Sequence, residues 1–162
     1  MFNIPNLFTA ANMLCGFVSI ILALFGRIDL APLFILAAVV FDFLDGFIAR
    51  KMNLQGELGK QLDSLADLVS FGVAPSLIAY QFLRLSLAQD IDGLSASWYQ
   101  LLPVFMLPCA AAYRLARFNI SAPSTSGFTG VPVPAVGLLF ASFPIIYWYA
   151  PIDQAMVTGL LL

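Results

Sequence analysis

The chain has 162 residues, of which 61% are hydrophobic and only 10% charged, with a formal net charge of −2. A soluble globular domain carries roughly 25% charged residues, and the mean hydropathy of +0.94 points the same way. Disordered chains, nucleic-acid binders and ordinary soluble enzymes are excluded, and at about 20 apolar residues per crossing the length holds at most about six membrane helices.

The expected architecture is all-α, a polytopic transmembrane bundle forming one domain over residues 1–162. The first helix, over residues 5–26, carries no charge and has no basic segment before it, so it reads as a retained helix rather than a cleaved signal. Arg27 and Asp29 mark a tight turn. The second helix, 30–51, is apolar until it meets Asp42 and Asp45, and it ends at Arg50-Lys51. Met52 to Lys60 is polar and glycine-containing, which predicts a loop. The third helix, 61–84, opens with Asp63 and Asp67 and then runs apolar.

Arg84 to Ser97 predicts a polar loop. The fourth helix, 98–117, contains Pro103 and Pro108, which predict kinks. A Ser/Pro/Gly-rich loop leads to the fifth helix, 131–150, whose Tyr147-Trp148-Tyr149 end suits a membrane interface. A sixth apolar run, 153–162, is too short to span, so it predicts a truncated helix or a piece that does not cross. Alternating the connections puts Arg50, Lys51, Lys60, Arg114 and Arg117 on one side, and Arg27 and Arg84 on the other. That bias places the N-terminus and both basic loops in the cytoplasm.

The chain has no histidine. Ser-His-Asp and Cys-His catalysis and histidine metal ligation are therefore excluded. Cys15 and Cys109 lie in apolar runs and read as small buried hydrophobes.

Asp42 and Asp45 are three apart and Asp63 and Asp67 four apart, so each pair shares a helix face. The short loop between them makes an antiparallel hairpin, which brings all four to one depth near the cytoplasmic surface. Each carboxylate costs about 2.5–3.5 kcal/mol in hydrocarbon, and four would repel one another. A cluster of hard oxygen ligands suggests Mg²⁺, Mn²⁺ or Ca²⁺, and four carboxylates can hold two such ions for phosphoryl transfer. Ion pairing with arginines and a divalent-cation transport path remain alternatives from spacing alone. Gly46, Ala49 and Gly59 serve either close helix packing or space for a flat ligand, and Arg50 could clamp a phosphate.

The segment Asp42-Phe-Leu-Asp45-Gly46-Phe-Ile-Ala49-Arg50, followed by eight residues, Gly59, three residues, Asp63, three residues and Asp67, matches D-x2-D-G-x2-A-R-x8-G-x3-D-x3-D throughout. It resembles the signature of the CDP-alcohol phosphatidyltransferases. The stretches Asn3–Thr9 with Asn12, Leu68–Ser76, Arg114–Asn119 and Phe128–Pro134 are similar to the multi-pass phosphatidylserine-synthase branch of that family. The resemblance covers nearly the whole chain. It implies a six-helix core, usually a homodimer, with a cytoplasmic polar cavity in an integral cell membrane protein. It also implies transfer of the phosphatidyl group from CDP-diacylglycerol to L-serine, with release of CMP.

By the same resemblance, Asp42, Asp45, Asp63 and Asp67 would hold two divalent cations, Mg²⁺ or Mn²⁺, and Asp67 would also be the general base. Gly46, Ala49 and Gly59 would make room for the nucleotide and Arg50 would meet the diphosphate. Asn6, Thr9 and Asn12 are candidates near the nucleotide. Arg114, Arg117, Asn119 and Ser70 are candidates for the acceptor or a lipid phosphate, since arginine suits a carboxylate or phosphate. Other acceptors, such as glycerol 3-phosphate or inositol phosphate, stay open. The small number of cations mildly favours serine over a phosphorylated acceptor.

Overall fold

The computed structural model describes residues 4–52, 56–90, 98–120 and 131–149. Among them every regular element is helical. Helix α1 spans Ile4–Leu24 and buries Pro5, Thr9, Asn12, Gly16, Ser19 and Ala23. Those positions alternate by four and three, which gives a narrow seam of small and polar residues. Leu7, Leu14 and Ile21 point the other way and are at least half exposed. A soluble helix shows the reverse arrangement. Here the apolar rim faces lipid, and small residues let the helices approach closely.

A glycine reverses the chain after α1. Gly26 has φ 75°, with its N–H bonded to the Ala23 carbonyl at 2.9 Å and the Arg27 N–H to the Leu22 carbonyl at 2.8 Å. This pair of bonds is a Schellman cap, which needs the left-handed conformation that glycine adopts without penalty. The exposed Arg27 and Asp29 side chains form a two-bond ion pair across the turn. Mutual attraction holds the Asp29 carboxyl below its ordinary range. Helix α2, Ala31–Lys51, then runs back against α1. The Ser19 hydroxyl donates to the Ala31 carbonyl at 2.8 Å and pins the start of the return. Arg50 and Lys51 lie in the last turn of α2, where cations complement the helix dipole.

Helix α3 spans Glu57–Asp67, starting four residues before the expected Gln61. Gly56 is extended, and Glu57 occupies the first turn, where a carboxylate stabilises the positive helix end. A π-helical segment, Leu68–Val73, follows without a break, and α4 continues over Ala74–Asp90. Helix continues through Arg84–Asp90, where a loop is expected, because nothing in that stretch is a helix breaker. The composite span Glu57–Leu85 is 56% buried over its most apolar window, against 28% for α1 and for α2. It is therefore the central helix of the bundle.

A 3₁₀ segment, Trp98–Phe105, contains Pro103 and leads into α5, Met106–Ile120. The two prolines separate functions here. Pro103 sits in the 3₁₀ turn, whereas Pro108 falls in the first turn of α5, where its missing N–H costs nothing. Helix α5 reaches three residues beyond the expected Arg117, so Arg114 and Arg117 both lie on helix. Helix α6 spans Val133–Tyr149. A Cβ at Gly137 would lie 2.9 Å from the Phe71 carbonyl oxygen, so this glycine is needed for α6 to reach the π segment. Ile35, Phe71 and Ile78 anchor the main apolar core, and Phe82 meets the Tyr147 ring edge-on at 5.3 Å.

Helices α1, α2 and the Glu57–Leu85 span are each long and apolar enough to cross a membrane, and α6 adds a shorter apolar helix. The chain is a membrane helical bundle. The expected helix over 153–162, the loops over 91–97 and 121–130, and the side chains of Trp148 and Tyr149 lie outside the described residues.

Candidate active site

The reversal at Gly26 places the first turns of α1 beside the last turns of α2, and α3 starts at the same end. These three pieces enclose a cavity of about 380 Å³. Its walls come from Asn6 and Thr9 of α1, from Asp45, Gly46 and Ala49 of α2, and from Gly59, Lys60 and Asp63 at the start of α3. Asp45, Gly46, Ala49, Gly59 and Asp63 of the sequence signature thus line one concave surface at one end of the bundle.

The glycines distinguish the two readings of the small residues. A Cβ at Gly46 would meet nothing within 4 Å, and one at Gly59 would meet only the Asn6 Oδ1, at 3.5 Å. Neither glycine is required for helices to pack. Both border the cavity, so their small size leaves space for a ligand. Gly16 and Gly137 behave oppositely and sit against neighbouring backbone.

Asp42, Asp63 and Asp67 each direct a carboxylate oxygen to one place, and the three oxygens lie within 4.8 Å of one another. Asp67 is buried, and Asp63 Oδ1 is a buried atom without a hydrogen-bond partner among the described residues. An unpartnered buried carboxylate oxygen is costly. Three hard anionic donors at this separation fit a hard divalent cation. Asp63 belongs both to this trio and to the cavity wall, so the metal position and the ligand space adjoin.

Asp45 is buried in the cavity wall and lies outside the 4.8 Å cluster. Its Oδ2 accepts a hydrogen bond from the Thr9 hydroxyl at 2.8 Å. The same hydroxyl also bonds the Pro5 carbonyl at 3.2 Å. Arg50 is exposed, and its Nε donates at 3.0 Å to the carbonyl of Gly46, a residue of the cavity wall.

The four residues considered for the acceptor or a lipid phosphate fall in different places. Ser70 is fully buried, and its hydroxyl donates to the Asn12 carbonyl at 3.0 Å. Asn119 gives its side-chain N–H groups to Ser64 Oγ at 2.9 Å and Gln61 Oε1 at 3.3 Å. Its main-chain carbonyl accepts from Lys60 Nζ at 3.2 Å. These bonds tie the end of α5 to α3. Arg114 borders a small apolar crevice of about 90 Å³ between the π segment, α5 and α6, and Arg117 lies one turn further along the same helix.

Two features escaped the sequence reading. Lys60 lines the cavity and sits 5.3 Å over the Phe118 ring. Its position inside the signature, next to Gly59, was the available hint. The second is the contact of Asn12 with Asp67, at 3.2 Å from Nδ2 to Oδ1. Fifty-five residues separate the two, and no local pattern connects them.

Residues 2–162 match the family model described as CDP-alcohol phosphatidyltransferase. The chain is 37% identical over 161 residues to a CDP-diacylglycerol–serine O-phosphatidyltransferase of Bacillus subtilis (strain 168), covering 96% of this chain and 81% of that protein. It is 33% identical over 157 residues to an archaetidylserine synthase of Methanothermobacter thermautotrophicus, covering 95% of this chain and 63% of that one. It is also 38% identical over 141 residues to a CDP-diacylglycerol–serine O-phosphatidyltransferase of Helicobacter pylori (strain 26695), covering 86% of this chain and 56% of that protein.

Proposed function

The chain belongs to the CDP-alcohol phosphatidyltransferase family, and from that premise we propose that it transfers the phosphatidyl group of CDP-diacylglycerol to the hydroxyl of L-serine, giving phosphatidylserine and CMP. The observation that carries this reading is the meeting of Asp42, Asp63 and Asp67 beside a cavity whose glycines face open space. The serine O-phosphatidyltransferases of Bacillus subtilis and Helicobacter pylori, to which the chain is similar, support serine as acceptor.

The family is metal-dependent, and Asp42, Asp63 and Asp67 would hold the metal. Two ions, Mg²⁺ or Mn²⁺, fit the proposal, with Asp45 reaching the second. When bound, such cations neutralise the diphosphate and stabilise the charge that builds on departing CMP. The protein groups do the rest. The wall of Asn6, Thr9, Gly46, Ala49 and Gly59 takes the nucleotide, and Arg50 meets the diphosphate. Asp67 accepts the proton of the serine hydroxyl, which is a poor nucleophile without a base. The serine oxygen forms a bond to the phosphatidyl phosphorus while the bond from that phosphorus to the CMP oxygen breaks. Direct displacement needs no covalent enzyme intermediate, which suits a site without histidine.

Arg114 and Arg117 are the candidates for the serine carboxylate or a lipid phosphate, as guanidinium groups pair well with either. The distribution of Lys and Arg supports a cell-membrane protein with the cavity facing the cytoplasm. A homodimer follows from the family premise.

The test is release of CMP from CDP-diacylglycerol by purified protein with Mn²⁺ or Mg²⁺ and a panel of alcohols. Release with serine alone is expected. Release with glycerol 3-phosphate or inositol phosphate in its place would overturn the acceptor assignment.

The cavity wall gives a second expected result. Gly46→Val adds bulk where no protein atom lies within 4 Å, so thermal stability in detergent should hold. Overfilling a fitted space costs roughly 1–3 kcal/mol, so nucleotide affinity should fall about five- to hundredfold. Calorimetric titration with CMP measures it, and wild-type affinity would place the nucleotide elsewhere.

A further inference from the structure

Asn12 lies at the middle of the α1 seam and is fully buried. It touches the central helix at two points. Its Nδ2 donates to Asp67 Oδ1 at 3.2 Å, and its main-chain carbonyl accepts from the Ser70 hydroxyl at 3.0 Å. With Asp67 ionised, as a metal ligand is, the carboxylate accepts and the Asn12 amide donates. The Asn12 Oδ1 is then left buried with no partner among the described residues. A group held in this way at a cost is held for its other end.

The local structure is built to bring the two points together. Ser70 belongs to the π segment that begins directly after Asp67, and such widened turns are frequent at functional sites. Gly16, one turn after Asn12 on α1, leaves the notch into which Ser70 fits. A Cβ there would stand 2.5 Å from the Ser70 hydroxyl oxygen and 2.9 Å from its Cα. Any larger residue would push the π segment away from α1 and lengthen both contacts of Asn12.

We propose that Asn12, seated by Ser70 in the notch over Gly16, is a positioning residue that fixes the rotation of the Asp67 carboxylate. One oxygen of Asp67 is engaged by the amide, which leaves the other for the reacting hydroxyl. A carboxylate free to rotate would spend much of its time misaligned, and misalignment slows proton transfer without weakening substrate binding. The proposal rests on the reading of Asp67 as the general base.

The test is Asn12→Leu in the full chain. Leucine nearly matches the shape of asparagine and cannot donate. Residues that orient a ligand or base typically contribute roughly 10- to 100-fold. We expect kcat to fall by that factor with KM for CDP-diacylglycerol near the wild-type value. Mn²⁺ binding without substrate, followed by the electron paramagnetic resonance of free Mn²⁺, should weaken by about tenfold. A residue that only fills space would change neither. Wild-type kcat and wild-type Mn²⁺ affinity in Asn12→Leu would overturn the proposal. Should that variant not fold, Ser70→Ala carries the test, because it removes one hydroxyl and adds no bulk. A several-fold loss of kcat at constant KM supports the proposal, and an unchanged kcat overturns it. Asp67→Asn is measured alongside. If it keeps its turnover, the general-base reading falls and the proposal with it. If it is inactive while Asn12→Leu runs at the wild-type rate, only the role of Asn12 falls.

Discussion

Asp67→Asn should bind CMP and Mn²⁺ and yet release almost no CMP from CDP-diacylglycerol in the presence of serine. Asparagine has nearly the size of aspartate and still offers an oxygen to a metal, so the cavity and the trio of oxygens survive the change. It cannot take a proton. A positioned general base contributes roughly 10²–10⁴-fold, and the loss should appear in kcat. Single-turnover CMP release, set beside calorimetric binding of CMP, separates the two effects. Near-normal turnover would mean that another group takes the hydroxyl proton.

A broader loss is expected at Asp63. This residue belongs at once to the convergent trio and to the cavity wall, and its Oδ1 is buried without a partner among the described residues. Asp63→Ala should therefore weaken metal and nucleotide binding together and lower turnover further than Asp67→Asn. Electrostatic stabilisation by a bound metal is worth several kcal/mol, about a thousandfold or more in rate at 1.4 kcal/mol per factor of ten. Treating the unsubstituted protein with EDTA should reproduce the loss, and added Mg²⁺ or Mn²⁺ should restore activity. Full metal and nucleotide affinity in Asp63→Ala would move the metal site away from the trio.

These two aspartates show how much of the site was legible in the chain. Their spacing, with that of Asp42, puts them on facing sides of a short hairpin, and helical periodicity alone is enough to bring them to one depth. The roles of Gly46 and Gly59 were not legible, because small residues serve packing and ligand space equally well. Only the absence of any atom within 4 Å of a Cβ at Gly46 separates the two. Ser70 and Asn119 illustrate the converse. A hydroxyl or amide near a reactive motif suggests substrate contact, yet Ser70 spends its hydroxyl on Asn12 and Asn119 spends its amide on Ser64 and Gln61. Helix ends were also misjudged where polar residues looked like loop. The start of α3 at Glu57 and the continuation of α4 past Arg84 reflect hydrogen-bond propagation, which stops only at real breakers.

The sequence by itself determined the helical class, the membrane setting, the hairpin and the family signature. Each of these depends on composition or on contacts within a few helical turns, where periodicity leaves little freedom. The tertiary structure alone decided which three carboxylates converge, that Asp45 bonds Thr9, and that Asn12 reaches Asp67 across 55 residues. The π turn after Asp67 and the approach of Ser70 to Gly16 set the register between α1 and the central helix. Packing against a distant segment is energetically coupled to the whole bundle, so no local pattern in the chain encodes it.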